Sequence, residues 1–260
     1  MPQLEGSITP ESAFMQDLYF GALARYQLAG IYVQNKIVLE AGSGAGYGAA
    51  NLAIKAKKVY GIDSSVASIK HSQKDYRAKN LIFKTGDVTA LDFDSNFFDL
   101  ITAFEVIEHI RDYPRAISEF YRVLKPGGIL IISTPNKAVY SPGTKKPFYP
   151  FHFKEFELKD LKVIFRKFEI LEIMGQFIKG KKSLIYGHWH PKRMIRIIFA
   201  NLPFYVKLWI MKSYLAISWW LYQTGIFRPR PIKFTDIYFS KKFTQSRSFI
   251  MIMRRPKGKK

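Results

Sequence analysis

The 260-residue sequence predicts an α/β protein, a doubly wound Rossmann-like sheet with a mainly helical basic insertion before its last strand. Three observations predict it. Between residues 36 and 177, short apolar runs that stop at glycine or aspartate alternate with stretches of helical spacing. The first run opens onto a glycine ribbon, "EAGSGAGYG" (40–48). Near the C-terminus "SRSFIMIMRR" (246–255) has the length and apolar content of a strand returning to the same sheet.

Each element has a local reason. Pro10 and the apolar positions Phe14, Leu18, Leu23 and Leu28 predict a helix over 10–34. "KIVLEAG" (36–42) is a buried strand closed by glycine, and "YGAANLAIKA" is the helix after it. "KKVYGID" (57–63) is the second strand, and Ser64 or Ser65 caps the next helix. "LIFKTGD" (81–87) and "FDLITAFEV" (98–106) are the third and fourth. "DYPRAISEFYRVLKPGG" is a helix closed by Pro-Gly-Gly, succeeded by a fifth strand, "ILIISTPN" (129–136). "FELKDLKVIFRKF" (156–168) is a helix and "EILEIMGQF" (169–177) the sixth strand. The chain therefore divides into a core with its N-terminal helix (1–177), a basic aromatic insertion (178–240), and a final strand with a basic tail (241–260).

Composition narrows the chemistry. No cysteine occurs, which excludes disulfides, thiolate metal sites and a cysteine nucleophile. The N-terminus lacks a basic stretch ahead of an apolar one, so no signal peptide is expected and the start reads as cytoplasmic. The net charge of +21 is lopsided: residues 1–172 carry 22 Lys/Arg against 19 Asp/Glu, and residues 173–260 carry 19 against one, Asp236. The first part has the charge balance of an ordinary enzyme, and the second is suited to an anionic partner.

Gly42, Gly44 and Gly46, with Glu40 two residues before, form E-x-G-x-G-x-G. A β-turn-α of this spacing exposes backbone N–H groups beside a helix N-terminus, to which a phosphate or a cofactor carboxylate can bind. Gly44, Gly46 and Ala49 also fit a dinucleotide pattern, and a tight packing turn would use the same glycines. Acids at successive strand ends favour a cofactor without phosphates. Asp63 is placed to accept ribose hydroxyls. Asp87 can accept from an exocyclic amine while the Val88 N–H meets a ring nitrogen.

These motifs, in order, resemble the class I S-adenosylmethionine-dependent methyltransferases: "VLEAGSGAGYG", "VYGIDSS", "GDVTALDF" and "FDLITAFEVIEHI…FYRVLKPGGILIISTPN". The resemblance covers about residues 20–177 and implies a seven-stranded sheet whose last strand is antiparallel. It also implies that Glu40 and the backbone of Gly42, Ser43, Gly44 and Gly46 face the methionine end of the cofactor, that Asp63 with Ser64 holds its ribose, that Asp87 with Val88 holds its adenine, and that Glu105 lines the pocket. Ser43 stands where many relatives have cysteine.

Methyl transfer needs alignment of the acceptor and, for a hydroxyl, removal of its proton. Glu105, Glu108 and His109 lie within one turn at a strand end, and His152 comes near the next. Two carboxylates and two imidazoles can hold a divalent cation such as Mg²⁺. The pattern is similar to the E-x-x-E-H run of two metal-assisted O-methyltransferase groups, the ubiquinone-pathway type and the small-RNA 2′-O type. Without a cation, His109 or His152 is the expected general base.

In the insertion, residues 191–231 mix Lys/Arg with long apolar and aromatic side chains. The longest uncharged run, Ser213 to Phe227, is 15 residues, short of the roughly 20 that span a bilayer. Helices lying in an anionic headgroup region fit this mixture, which places the protein at the inner face of a membrane. A nucleic-acid surface and a simple lid are the rival readings. The sequence thus points to O-methylation of a membrane-associated or lipid-linked acceptor, either a glycan or an isoprenoid-type hydroxyl. The alternatives are an RNA 2′-O-methyltransferase, or a small-molecule enzyme whose insertion only closes the site.

Overall fold

The computed structural model describes residues 16–179, 201–210, 212–213, 234–243 and 245–258. Eight strands form one sheet: β1 (Ile37–Ala41), β2 (Lys58–Asp63), β3 (Leu81–Thr85), β4 (Phe98–Phe104), β5 (Leu124–Pro135), β6 (Glu169–Ile178), β7 (Ile237–Ser240) and β8 (Ser248–Arg254). Their order is β3-β2-β1-β4-β5-β8-β6-β7. β1 to β5 pair in parallel, and β8 runs antiparallel to both β5 and β6. Helices α1 (Gln16–Ala29), α2 (Tyr47–Ala53), α3 (Val66–Asp75), α4 (Tyr113–Val123), α5 (Lys137–Tyr140) and α6 (Leu158–Ile164) complete the core.

Burial tracks the two-residue period of the strands. Leu39, Ile101, Leu130, Ile132, Met251 and Met253 pack with α4 and α6 through Phe120, Leu161 and Phe165. The alternating residues Val38, Leu100, Ile131, Ile250 and Ile252 pack with α1 and α2 through Ala22, Tyr26, Ala49 and Leu52. Apolar runs without a polar face thus become strands covered on both sides. The chain winds outward from β1 to β3 and then returns to pair β4 on the other side of β1. That reversal lies between β1 and β4, and in such sheets ligands bind outside the C-terminal ends of the strands at this switch point.

Two boundaries stand out against the sequence reading. The sheet has eight strands, not seven: Ile237–Ser240, assigned to the insertion, pairs along Gly175–Ile178 of β6 and covers an edge that would otherwise leave its N–H and C=O groups unpaired. The helix expected to run to Pro-Gly-Gly stops at Val123. Pro126 disfavours helix at the residue before it, and the Arg255 guanidinium donates to the carbonyls of Tyr121 (2.6 Å) and Leu124 while Gly127 N–H donates to the Arg255 carbonyl at 2.8 Å, so Leu124–Gly128 is held in β5. Of the two expected caps, Ser65 caps α3, its Oγ accepting from Ser68 N–H at 3.2 Å.

Residues 180–200 and 214–233, with most of the expected interfacial helices and His188, Trp189, His190, Trp219 and Trp220, lie outside the described residues. Among the described residues no helix is long and apolar enough to cross a membrane.

Phe120 is fully buried between α4 and the sheet. Phe120→Ala is expected to lower stability by about 3–5 kcal/mol, read as a fall in the urea midpoint with unchanged slope.

Candidate functional site

The glycine ribbon leaves β1 with Gly42, Gly44 and Gly46 at φ 73°, 50° and 85°. Gly42 and Ser43 donate their N–H groups to the Ile62 carbonyl at 2.8 and 2.9 Å, which fastens the ribbon to β2. Asp63, at the end of β2, clamps the ribbon to the start of α3: Oδ2 accepts from Gly44 N–H at 2.8 Å and Oδ1 from Ser65 N–H at 2.9 Å. Each oxygen keeps a second acceptor position. Gly86 N–H donates to the Asp63 carbonyl at 3.0 Å, so the ends of β2 and β3 lie side by side. Asp87 is exposed there, its Oδ1 accepting from Thr89 N–H at 2.8 Å. Val88 is buried beside it and Ser64 is exposed.

Glu40 lies beneath the ribbon at 1% exposure. Its Oε1 accepts from the Tyr26 hydroxyl, and its Oε2 has no partner. Burial raises its pKa to about 8. Gly48 makes the arrangement possible, because a Cβ there would lie 2.0 Å from Tyr26 Cζ and 2.3 Å from Glu40 Oε1.

Arg25 belongs to no sequence motif, yet it reaches this site. It is buried, its Nη1 donates to Gln176 Oε1 at 2.7 Å, and it lies 3.9 Å from Glu105 Oε1. Its Nε is buried without a partner.

A second cluster forms where β4 ends. Glu108, His109 and His152 each offer one ligand atom, and these atoms lie within 4.8 Å of one another. Glu108 is fully buried; Oε2 accepts from Thr134 Oγ1 at 3.0 Å and Oε1 has no partner. Burial, then the charge of Glu105, raises its pKa well above the usual carboxylate range. His109 Nδ1 lies 3.0 Å from the Phe151 carbonyl, and His152 Nδ1 lies 2.9 Å from Glu155 Oε1. Both contacts take Nδ1–H as donor, because the carbonyl and carboxylate only accept, and so the lone pair of each ring in its neutral form lies on Nε2. Imidazoles fixed in this way by a carboxylate or a carbonyl are suited to metal ligation or proton abstraction. The rings meet edge to face at 4.9 Å. Partial enclosure and the neighbouring His152 hold the His109 pKa below its ordinary value.

Glu105, expected in the same ligand set, is not in this group. Its backbone is left-handed at φ 55°, and its N–H donates to the Ser133 carbonyl at 3.0 Å. The side chain turns to Ser133 Oγ (2.7 Å) and Ser248 Oγ (3.3 Å). The helical spacing assumed for E-x-x-E is broken by this reversal, so Glu105 and Glu108 share no face. Glu155 is a further member that the motifs do not reveal. Its signal is the H-x-x-E spacing of His152 and Glu155, which the structure makes a hydrogen-bonded pair.

The fold is that of a class I methyltransferase. Residues 39–132 match the family described as "Methyltransferase domain". The chain is 35% identical over 150 residues to a "Probable S-adenosylmethionine-dependent methyltransferase" of Mycolicibacterium smegmatis, covering 58% of this chain and 55% of that protein. It is 35% identical over 129 residues to a phthiotriol/phenolphthiotriol dimycocerosates methyltransferase of Mycobacterium leprae, covering 49% and 46%. It is 32% identical over 109 residues to a ubiquinone biosynthesis O-methyltransferase of Coxiella burnetii, covering 41% and 47%. The chain thus spans about half the length of these relatives. Among solved structures the [4+2]-cyclase SpnF superposes with a TM-score of 0.62 at 18% identity, covering 98% and 89%, a likeness of fold alone. Residues 39–132 are therefore a methyltransferase domain of the S-adenosylmethionine-dependent class.

Glu40 sets a pH dependence. Its pKa is higher in the folded protein than the ordinary 4.5, so the native state binds the proton more tightly. The stability it contributes is complete below the unfolded value and is lost as pH rises through about 8; Glu108 acts with the same sign. Glu40→Gln is expected to flatten part of the fall in urea midpoint between about pH 5 and pH 8, and an unchanged slope counts against it.

Proposed function

We propose that the chain transfers the methyl group of S-adenosylmethionine to an oxygen of a membrane-associated or lipid-linked acceptor, a glycan or an isoprenoid-type hydroxyl. The observation that carries the reading is the juxtaposition of two half-sites across β1 and β4: the Asp63-clamped ribbon, and two imidazoles each anchored through Nδ1.

The residues present fit the cofactor. The backbone of Gly42, Ser43, Gly44 and Gly46 and the unpartnered Glu40 Oε2 suit its amino-acid end. Arg25, a buried cation with an unpartnered Nε beside Glu105, suits its carboxylate. Asp63 with Ser64 would take the ribose, and Asp87 with Val88 the adenine. The bound cofactor supplies an electrophilic methyl group on a sulfonium. The chain's own work is to align the acceptor oxygen and to receive its proton at Nε2 of His109 or His152 as the new C–O bond forms. His109, held neutral by its lowered pKa, is fit for that role at neutral pH.

A divalent cation also fits between Glu108, His109 and His152, where the buried Glu108 Oε1 otherwise has no partner. It would supply Lewis acidity to the acceptor oxygen. With Glu105 turned away, the set is two nitrogens and one carboxylate, which suits a borderline ion better than Mg²⁺. For the acceptor class, support comes from the basic, aromatic residues 173–260 and from the activities named for the M. leprae and C. burnetii relatives.

Asp63→Ala is expected to weaken S-adenosylhomocysteine binding by about 2 kcal/mol or more, roughly thirtyfold, in calorimetry. His109→Ala is expected to lower kcat by about a hundredfold or more while leaving that affinity unchanged. Mass spectrometry of lipid, glycan and RNA extracts for the gain of one CH₂ identifies the acceptor, and a gain confined to RNA overturns the lipid-linked reading. Full activity after chelation removes the cation.

A further inference from the structure

Residues 204–210 fold as a helix against the rim of the second half-site. Phe204 meets Phe151 edge to face with ring centroids 5.9 Å apart, and Phe151 supplies the carbonyl that fixes His109 and directly precedes His152. Lys207, at 8% exposure, lies on the inner side of this helix near Lys146, and its N–H donates to the Pro203 carbonyl at 3.1 Å. The outer side is different. Tyr205 is 81% exposed and Trp209 69% exposed, one turn apart on one face, flanked by Val206 at 40%. No acid occurs between residues 173 and 235, whereas eleven Lys/Arg lie between 178 and 233.

From this geometry we infer that the Tyr205–Trp209 face of the helix is the contact with an anionic lipid bilayer, and that it holds the mouth beside His109 and His152 at the headgroup plane. The inference deepens the proposed function and rests on its membrane-associated acceptor. Amphipathic aromatics one turn apart, with an aliphatic neighbour and in a stretch of sequence rich in Lys/Arg, match the interfacial region of a bilayer in both apolarity and charge. A lid would turn such residues inward, over the site. Here the inward position is Lys207, Phe204 is 44% exposed at the edge beside Phe151, and Tyr205 and Trp209 are the most exposed side chains of the helix. An acceptor with its tail in the bilayer could then reach the imidazoles without leaving the membrane.

The test is flotation of the full chain with phosphatidylcholine vesicles, with and without phosphatidylglycerol. Wild type is expected to float with the anionic vesicles only. Tyr205→Ser/Trp209→Ser is expected to need about tenfold more lipid or to remain unbound. Ile54→Ser, which removes a 77%-exposed apolar side chain at the end of α2, is expected to behave as wild type. Unchanged S-adenosylhomocysteine binding shows that a variant is folded, and Tyr205→Glu is the substitute should the double variant fail that check. Flotation undiminished in the double variant sinks this surface while leaving the membrane reading in place. Wild type that does not float sinks both. A salt-sensitive shift of single-stranded RNA, lost in the same variant and without flotation, assigns the face to nucleic acid and overturns the inference.

Discussion

Parallel pairing of β1 with β4, from Val38 against Leu100 to Glu40 against Thr102, is the constraint on which the site depends. It brings together two strand ends that are separated by about sixty residues of chain. The ribbon leaves one, and the Glu105–His109 turn leaves the other. Both strands are buried on both faces, so their register cannot slip without moving Val38, Leu39, Leu100 and Ile101 out of two packed layers. The rigidity is hydrophobic, and the polar groups at the top are aimed by a scaffold that has no role in the chemistry.

Those polar groups are arranged at a cost to folding. Glu40, Glu108 and Glu155 are all buried, and each retains one carboxylate oxygen without a partner. A buried orphan acceptor typically costs about 1–3 kcal/mol, and a core designed for stability alone would avoid three of them. Their distribution is informative: one lies under the ribbon, and two belong to the imidazole cluster. The raised pKa values of Glu40 and Glu108 arise from the same desolvation.

The segment around residues 149–156 ties the imidazoles to the outer helix. Phe153 N–H donates to the Glu108 carbonyl at 2.8 Å, and Phe156 bridges to Asn136 beyond β5, so His152 is carried to His109 by backbone bonds as well as by ring contact. Tyr149 packs beside His152 with ring centroids 4.7 Å apart. The same segment presents Phe151 to the helix of residues 204–210. Whatever that helix touches is therefore mechanically close to the imidazoles.

Much of this is legible in the residues alone. The order of strands and helices, the ribbon, Asp63 at a strand end and the returning strand all rest on short-range properties: apolar period, glycine spacing, and the residue that ends an apolar run. Contacts between distant segments are not legible. Glu105 and Glu108 read as equivalent in E-x-x-E-H until a left-handed backbone at Glu105 sends one to Ser133 and the other to Thr134. Arg25 has no motif and gains its place only because α1 crosses β6 at Gln176. Ile237–Ser240 looks like the end of a helical insertion and becomes β7 because β6 offers it an edge. The local sequence determined which elements form and which loops stay open to a ligand, because those choices depend on neighbours within a few residues. Only the tertiary structure decided which acids meet which imidazoles, because that depends on where the packing of two sheet faces brings segments far apart in the chain.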